Sequence, residues 1–209
     1  MMCDNNNKAT VSGTIVSEPI YSHESYGKEF YQMYISVLRD SGTPDIVPVI
    51  IPESFLLESG EKYTSRQCKI KGRFQSYNKK DESGRSHLEL YFFARQIDFS
   101  QKTLPMCEQI NNLFVDGFIC KEPIYRKTPL GREIAEIMVA VNRPYGKSDY
   151  IPCIAWGSNA RLASNFKVGT QIRVGGRIQS RRYHKIYGDD FIQIKTAYEI
   201  SIKDMEVMR

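Results

Sequence analysis

The sequence predicts an all-β protein of two tandem five-stranded barrels. Two observations predict it: an internal repeat, and the same order of short strands in both copies. The repeat has an offset of 104 residues and pairs Gly13 with Gly117, Glu18-Pro19-Ile20-Tyr21 with Glu122-Pro123-Ile124-Tyr125, and Gly27 with Gly131. It continues with Pro48 and Pro152, Gly72-Arg73 and Gly176-Arg177, Gln75-Ser76 and Gln179-Ser180, and Gly84 and Gly188. From Val11 to Gly84 there are 22 identities in 74 ungapped positions, concentrated at residue types of turns and strand edges. A period near 100 residues is a domain rather than a solenoid repeat. Two similar domains are expected, at residues 1–104 and 105–209, joined near Lys102–Gln109 where Pro105 interrupts the pattern.

Within the second unit, Asn112–Cys120, Glu133–Asn142 and Tyr150–Trp156 carry alternating or β-branched apolar character and read as strands. Ser158 begins a short helix with Ala160, Ala163 and Phe166 on one stripe, ended by Gly169. Gln171–Ser180 and Phe191–Ile202 complete five strands. The first unit repeats the order with Ala9–Val16, Glu29–Leu38, Asp45–Ile51, a poorer helix around Glu53–Ser59, Gln67–Tyr77 and His87–Phe99. Five strands with one short helix between strands 3 and 4 is the order of an OB-fold barrel.

Composition narrows the function classes. The chain has 209 residues, 41% hydrophobic and 25% charged, as in ordinary folded proteins. Its longest nearly unbroken apolar stretch, Ile46–Ile51, is far short of the ~20 residues of a membrane span, and residues Met1–Lys8 hold no apolar export core. A cytoplasmic protein with no membrane partner is expected. Five cysteines (Cys3, Cys68, Cys107, Cys120, Cys153) form no C-x-x-C pair, and His23, His87 and His184 add no ligand spacing. Reduced thiols are expected, with neither a disulfide scaffold nor a metal site. The net charge of +5 lies wholly in the second half, which has 16 Lys/Arg against 11 Asp/Glu, while the first half has 13 of each. That bias suits a polyanionic partner.

Catalytic motifs are missing: there is no G-x-S-x-G elbow, P-loop or H-E-x-x-H. The pair Asp189-Asp190 follows Gly188 and reads as solvated turn charge. No catalytic residue and no cofactor are assigned, and a binding module is expected. Single strands are held by aromatic platforms for bases and cations for phosphates. The second unit supplies both. Tyr145 closes the second strand region, Tyr150 and Trp156 bracket the third, and Tyr183 sits past the fourth in the run Arg181-Arg182-Tyr183-His184-Lys185. Arg126, Arg132, Arg143, Arg173 and Arg177 add charge on strands or the turns between them. Two readings stay open for Trp156, core packing or surface stacking. Two also stay open for Arg181, Arg182 and Lys185, a solvated turn or phosphate contact.

These residues match a known pattern. The stretch Asn112–Ile202 resembles the bacterial single-stranded DNA-binding protein family through Gly117, Glu122-Pro123-Ile124-Tyr125-Arg126, Thr128-Pro129-Leu130-Gly131 and Ala140-Val141-Asn142-Arg143. The resemblance continues through Asp149-Tyr150-Ile151-Pro152-Cys153-Ile154-Ala155-Trp156-Gly157 and Gly176-Arg177-Ile178-Gln179-Ser180-Arg181-Arg182-Tyr183. It implies that Tyr145, Tyr150, Trp156 and Tyr183 stack on bases, and that single-stranded DNA is bound and protected in replication, recombination or repair. It also implies a homodimer bringing four OB folds together, with replication proteins as further partners. Two other readings are kept: an OB-fold adaptor of a primosome, and an RNA-binding OB protein.

The first unit departs from the pattern, with Ser41, Ile46, Pro52 and Lys79 at the four aromatic positions. The expectation is a barrel with weakened DNA contact, retained for assembly or for a modified strand path. The alternative is that Tyr21, Tyr26, Tyr31, Tyr34 and Tyr77 rebuild a stacking surface elsewhere. The family's Gly/Pro/Gln-rich tail with its acidic tip has no counterpart in the sequence through Ile202–Arg209. That points to a specialised or accessory role, on a plasmid, phage or conjugative element.

Overall fold

The computed structural model describes residues 6–39, 41–81, 83–100, 110–187 and 191–208. The first unit comprises β1 (Asn7–Ile15), β2 (Ile20–Ser25), β3 (Lys28–Leu38), β4 (Pro44–Pro52), β5 (Gln67–Lys80) and β6 (Ser86–Ser100). The second comprises β7 (Asn111–Ile119), β8 (Ile124–Lys127), β9 (Glu133–Asn142), β10 (Ser148–Trp156), the helix α1 (Ser158–Ala163), β11 (Gln171–Tyr187) and β12 (Phe191–Val207). The expected linker, Lys102–Gln109, and the pair Asp189-Asp190 lie outside the described residues. No described helix is long and apolar enough to cross a membrane.

Each unit closes in the same way. The start of β1 pairs with β5, its end turns onto β3 (Thr14↔Ser36, Ile15↔Ile35), and β4 meets β6 in parallel at Val49↔Phe92. The second unit repeats this with β7 on β11 and β9, and β10 on β12. The turn of β1 between partners requires glycine: a Cβ on Gly13 would lie 2.3 Å from the Ser36 carbonyl oxygen, and one on Gly117 2.4 Å from that of Ala140. This is why the repeat's identities include glycines. Inside, Met33, Ile35, Phe74 and Phe92 fill the first barrel, and Ile119, Ile151, Ile172 and Ile178 the second. Cys68 and Cys153 are buried free thiols, and burial pushes the Cys68 thiol up to about 12.

The helix expected in the first unit is shortened to a three-residue 3-10 turn, Glu53–Phe55. In α1, Ala160 and Ala163 are small enough to lie fully buried against the barrel. At the same repeat positions the first unit has Leu56 and Ser59, and the chain there runs extended, with Leu56 and Leu57 packed on the core. The structure also adds β2 and β8, short strands on the edges of β3 and β9 beyond the five strands expected in each unit.

The two units form one sheet in the order β2-β3-β4-β6-β5-β1-β7-β11-β12-β10-β9-β8. Its centre is the antiparallel pair β1–β7, with Asn7 opposite Val115 and Val11 opposite Asn111. Those two pairs exchange under the 104-residue offset, so the units are related by a local two-fold axis. A second set of contacts obeys the same axis. Arg39 binds Asp45 and donates to the Ser180 carbonyl at 2.8 Å, and Ser180 returns its amide to Asp45 at 2.6 Å. Arg143 binds Asp149 and donates to the Ser76 carbonyl at 2.8 Å, and Ser76 returns its amide to Asp149 at 2.6 Å. Each long hairpin, β5–β6 and β11–β12, is thereby held against the other unit.

Candidate nucleic-acid interface

The site residues are positioned by β10 and β11. Residues 150, 152, 154 and 156 alternate outward on β10 while Ile151, Cys153 and Ala155 face the core, which sets Tyr150 and Trp156 on one exposed face. Tyr150 is 44% exposed and Trp156 39%. The indole Nε1 donates to the Ser201 hydroxyl at 3.3 Å, fixing one edge of the ring and leaving a face open. Trp156 therefore lies at the surface rather than in the core. It borders a depression of about 350 Å³ with Lys127, Arg132 and Glu133.

Tyr183 lies within a strand rather than past one. The fourth strand of the second unit continues to Tyr187, so Arg181, Arg182 and Tyr183 are strand residues paired with Ala197, Thr196 and Lys195. Past Ser180 the described side chains of this strand, 181–184, are all exposed, so its polar sequence hid its extent. Tyr183 is exposed, and the Arg181 guanidinium sits 6.0 Å from its ring centroid. Tyr145 belongs to the 3-10 turn Pro144–Gly146, and the side chains of Tyr145 and Lys185 lie outside the described residues.

The arginines divide into two groups. Arg132, Arg181 and Arg182 are exposed and have no carboxylate partner among the described residues. Arg126 pairs with Glu136 at 2.7 Å on the neighbouring strand. Arg173 lies over the Phe114 ring and 3.5 Å from Asp116. Arg143 is engaged by Asp149 and Ser76, and Arg177 lies 3.7 Å from the buried Asp45. Arg143 and Arg177 thus hold the two units together, a use the sequence did not announce because their carboxylate partners are remote or lie across a turn.

A second surface takes in Tyr34 and Tyr77, two rings of the alternative reading of the first unit, together with rings which that reading did not name. A groove of about 980 Å³ opens between the two long hairpins, over β3 and β4 of the first unit. Tyr34, Tyr77 and Tyr91 line it from the first unit, and Tyr183 and Tyr198 from the second. Tyr77 and Tyr91 meet edge to face at 5.5 Å. Burial pushes the Tyr198 phenol up to about 12 and raises those of Tyr77 and Tyr91, so these rings stay neutral. The clearest signal in the sequence was Tyr34, a ring on the outward alternation of a strand whose inward residues are Met33 and Ile35.

Residues 110–208 match the Single-strand binding protein family. Among similar proteins, single-stranded DNA-binding protein 2 of Listeria innocua is 37% identical over 81 residues, 35% of this chain and 51% of that protein. Single-stranded DNA-binding protein A of Bacillus subtilis is 34% identical over 86 residues, 38% of this chain and 50% of that one. The chain spans about half the length of the curated relatives it matches. The crystal structure of the wild-type single-stranded DNA binding protein from Thermus aquaticus has the same fold across both units, with a TM-score of 0.71 at 19% identity, covering 97% of this chain and 93% of that one. The second unit, residues 110–208, is thus the part of the chain that is similar to the Single-strand binding protein family.

Proposed function

We propose that the protein binds single-stranded DNA without sequence preference, protecting it in replication, recombination or repair, and catalyses no reaction. The observation that carries this reading is the open indole face of Trp156 beside the exposed Arg132 and Lys127, in the part of the chain that matches the family. A ring and adjacent cations serve any nucleotide, since every base has a stackable face and every nucleotide a phosphate. Stacking contributes about 1–3 kcal/mol per base, and each phosphate neutralised adds about −0.7 to the salt slope.

Trp156 is the chain's one tryptophan, so its fluorescence reports this site alone. Titration with oligo(dT) is expected to quench it strongly, less so at high salt, with duplex DNA unable to displace the strand. An unchanged signal together with unchanged oligonucleotide anisotropy would overturn the function and leave the adaptor reading.

The proposed protein partner is a second copy of the chain. The outward face of the central sheet carries Lys8, Lys69 and Lys71 with Asp98 on the first unit, and Asp116, Asp204 and Glu206 with Arg173 on the second, an excess of cations on one and of carboxylates on the other. Two such faces stacked about a two-fold axis bring the lysines of one copy over the carboxylates of the other. Sedimentation equilibrium should show a dimer that weakens with salt. A monomer at every salt concentration would remove it.

A further inference from the structure

We propose that the first unit carries a strand-binding site of its own, in the groove between the long hairpins, using rings on strands other than those that carry them in the second unit. The inference rests on the single-strand function proposed above.

The ladder registers show the exchange. Trp156 on β10 stands opposite Ile134 on β9, and the matching pair in the first unit is Pro52 opposite Phe30. The ring has changed strand but kept its face. In the middle of the face, Pro152 opposite Met138 becomes Pro48 opposite Tyr34. On the next strand, Glu199 and Ser201 of β12 correspond to Tyr91 and Phe93 of β6, since Gln179↔Glu199 and Arg177↔Ser201 match Gln75↔Tyr91 and Arg73↔Phe93. Loss of aromatics at Ile46 and Pro52 is thus accompanied by gain of aromatics on β3 and β6. A position-by-position comparison with the second unit records only the loss.

These rings form a continuous surface. His23 stacks on Phe30 at 5.0 Å and 14°, and Phe30 touches Phe93 at 5.7 Å. Tyr34 and Tyr91 continue it into the groove, where Tyr183 of the second unit faces the same space. Core packing does not account for Tyr34, because Met33 and Ile35, its neighbours on β3, are the residues that face inward and are fully buried. Lys79 and Lys195 line the groove as cations. Glu89 also lines it, accepting from the Tyr77 hydroxyl at 2.6 Å and lying 3.7 Å from Lys79, so that Glu89 and Lys79 offset each other in part and the rings carry most of the site. The volume of about 980 Å³ exceeds what a single base requires, and mixed rings and cations suit a run of nucleotides rather than one apolar ligand. Lys79 and Tyr183 occupy equivalent positions of the repeat and both border the groove, so a strand lying there touches both units.

The test is photocrosslinking of the full chain to oligo(dT) carrying 5-iodouracil, with the attachment sites mapped by peptide mass spectrometry. Crosslinks at Tyr34, Tyr77 or Tyr91 are expected beside those at Trp156. Crosslinks confined to Tyr150 and Trp156 would overturn this inference and leave the proposed function standing. Failure of the oligonucleotide to bind at all, read by anisotropy, would remove both. Two variants read the same site independently. Tyr34→Ala with Tyr91→Ala should weaken binding of a long oligo(dT) at least about tenfold while leaving Trp156 quenching by a short one unchanged. Lys79→Glu, an exposed change that leaves the core intact, should weaken long-strand binding and flatten its salt dependence. Unaltered long-strand affinity in Lys79→Glu and in the folded double variant would overturn the site.

Discussion

The amide of Ser180 lies 2.6 Å from the buried carboxylate of Asp45, and these two residues belong to different units of the repeat. Asp45 also receives two bonds from Arg39, at 2.6 and 2.7 Å, and the Ser180 hydroxyl at 2.9 Å. A fully buried charge is tolerable only when it is paired and its remaining lone pairs are occupied, which this set achieves. The local two-fold repeats it at Asp149 and Ser76, so two saturated carboxylates tie the long hairpins in place.

Removing the Asp45 carboxylate leaves the partly exposed Arg39 and the Ser180 amide without their acceptor. Asp45→Ala should therefore destabilise the protein by about 2–3 kcal/mol, measured by chemical unfolding. Ser180→Ala removes only the hydroxyl contact and should cost about 1 kcal/mol. A loss below 1 kcal/mol in Asp45→Ala would show that the hairpins do not need this contact.

The same contact gives a pH dependence with a defined sign. Burial raises the Asp45 carboxyl, but the bonds from Arg39 and Ser180 outweigh it and hold the group below its ordinary value of 3.8. A carboxyl depressed on folding contributes stability above its unfolded pKa and loses it as pH falls through the folded one. The stability difference between the protein and Asp45→Asn should be full near neutrality and shrink below about pH 4. The comparison matters because Asp81 is also held well below the carboxylate range, by Ser83 and His87, and will contribute to acid unfolding in both proteins. A difference that stays constant from neutral pH to strong acid would separate the clamp from the charge.

Arg132 and Trp156 border the same depression but should fail differently. Trp156→Ala should weaken oligo(dT) binding by about 1–3 kcal/mol with little change in salt slope. Arg132→Ala should reduce the slope by about 0.7. Equal slopes in all three proteins, from anisotropy titrations across salt concentrations, would place the phosphates elsewhere.

Ser65 holds φ at +73°, where its counterpart Gly169 holds +91°, and both donate their amides to the end of the first strand of their unit at 2.8 Å. A side chain in this region carries a steric cost of about 1–2 kcal/mol that glycine avoids. Ser65→Gly should leave stability unchanged or raise it by up to about 1 kcal/mol, while Gly169→Val should lower it by more than that. Thermal unfolding followed by circular dichroism decides both.

Much of the barrel was legible because its strands alternate against a core. Asn112–Cys120 and Glu133–Asn142 were placed within one or two residues of β7 and β9. β2 and β8 were not legible, since almost every residue in them is exposed and neither shows a hydrophobic period. Among the site residues, Tyr150 and Trp156 emerged on the face their alternation implied. The contacts of Arg143 and Arg177 across the two units were not legible, because nothing in a sequence marks an arginine whose partner is a serine carbonyl 67 residues away or an aspartate in the other half of the chain.

By itself, the sequence determined the duplication, the order of strands in each copy, and the residue types able to stack on bases. Each of these is a local property, set by period, turn chemistry and side-chain identity. Only the tertiary structure decided that the copies share one sheet through β1 and β7, and that saturated carboxylates lock the hairpins across the axis. It also decided that tyrosines from both halves meet over one groove. The reason is physical: such contacts depend on registers and axes between segments about a hundred residues apart, and no periodicity along the chain encodes which outward faces will meet.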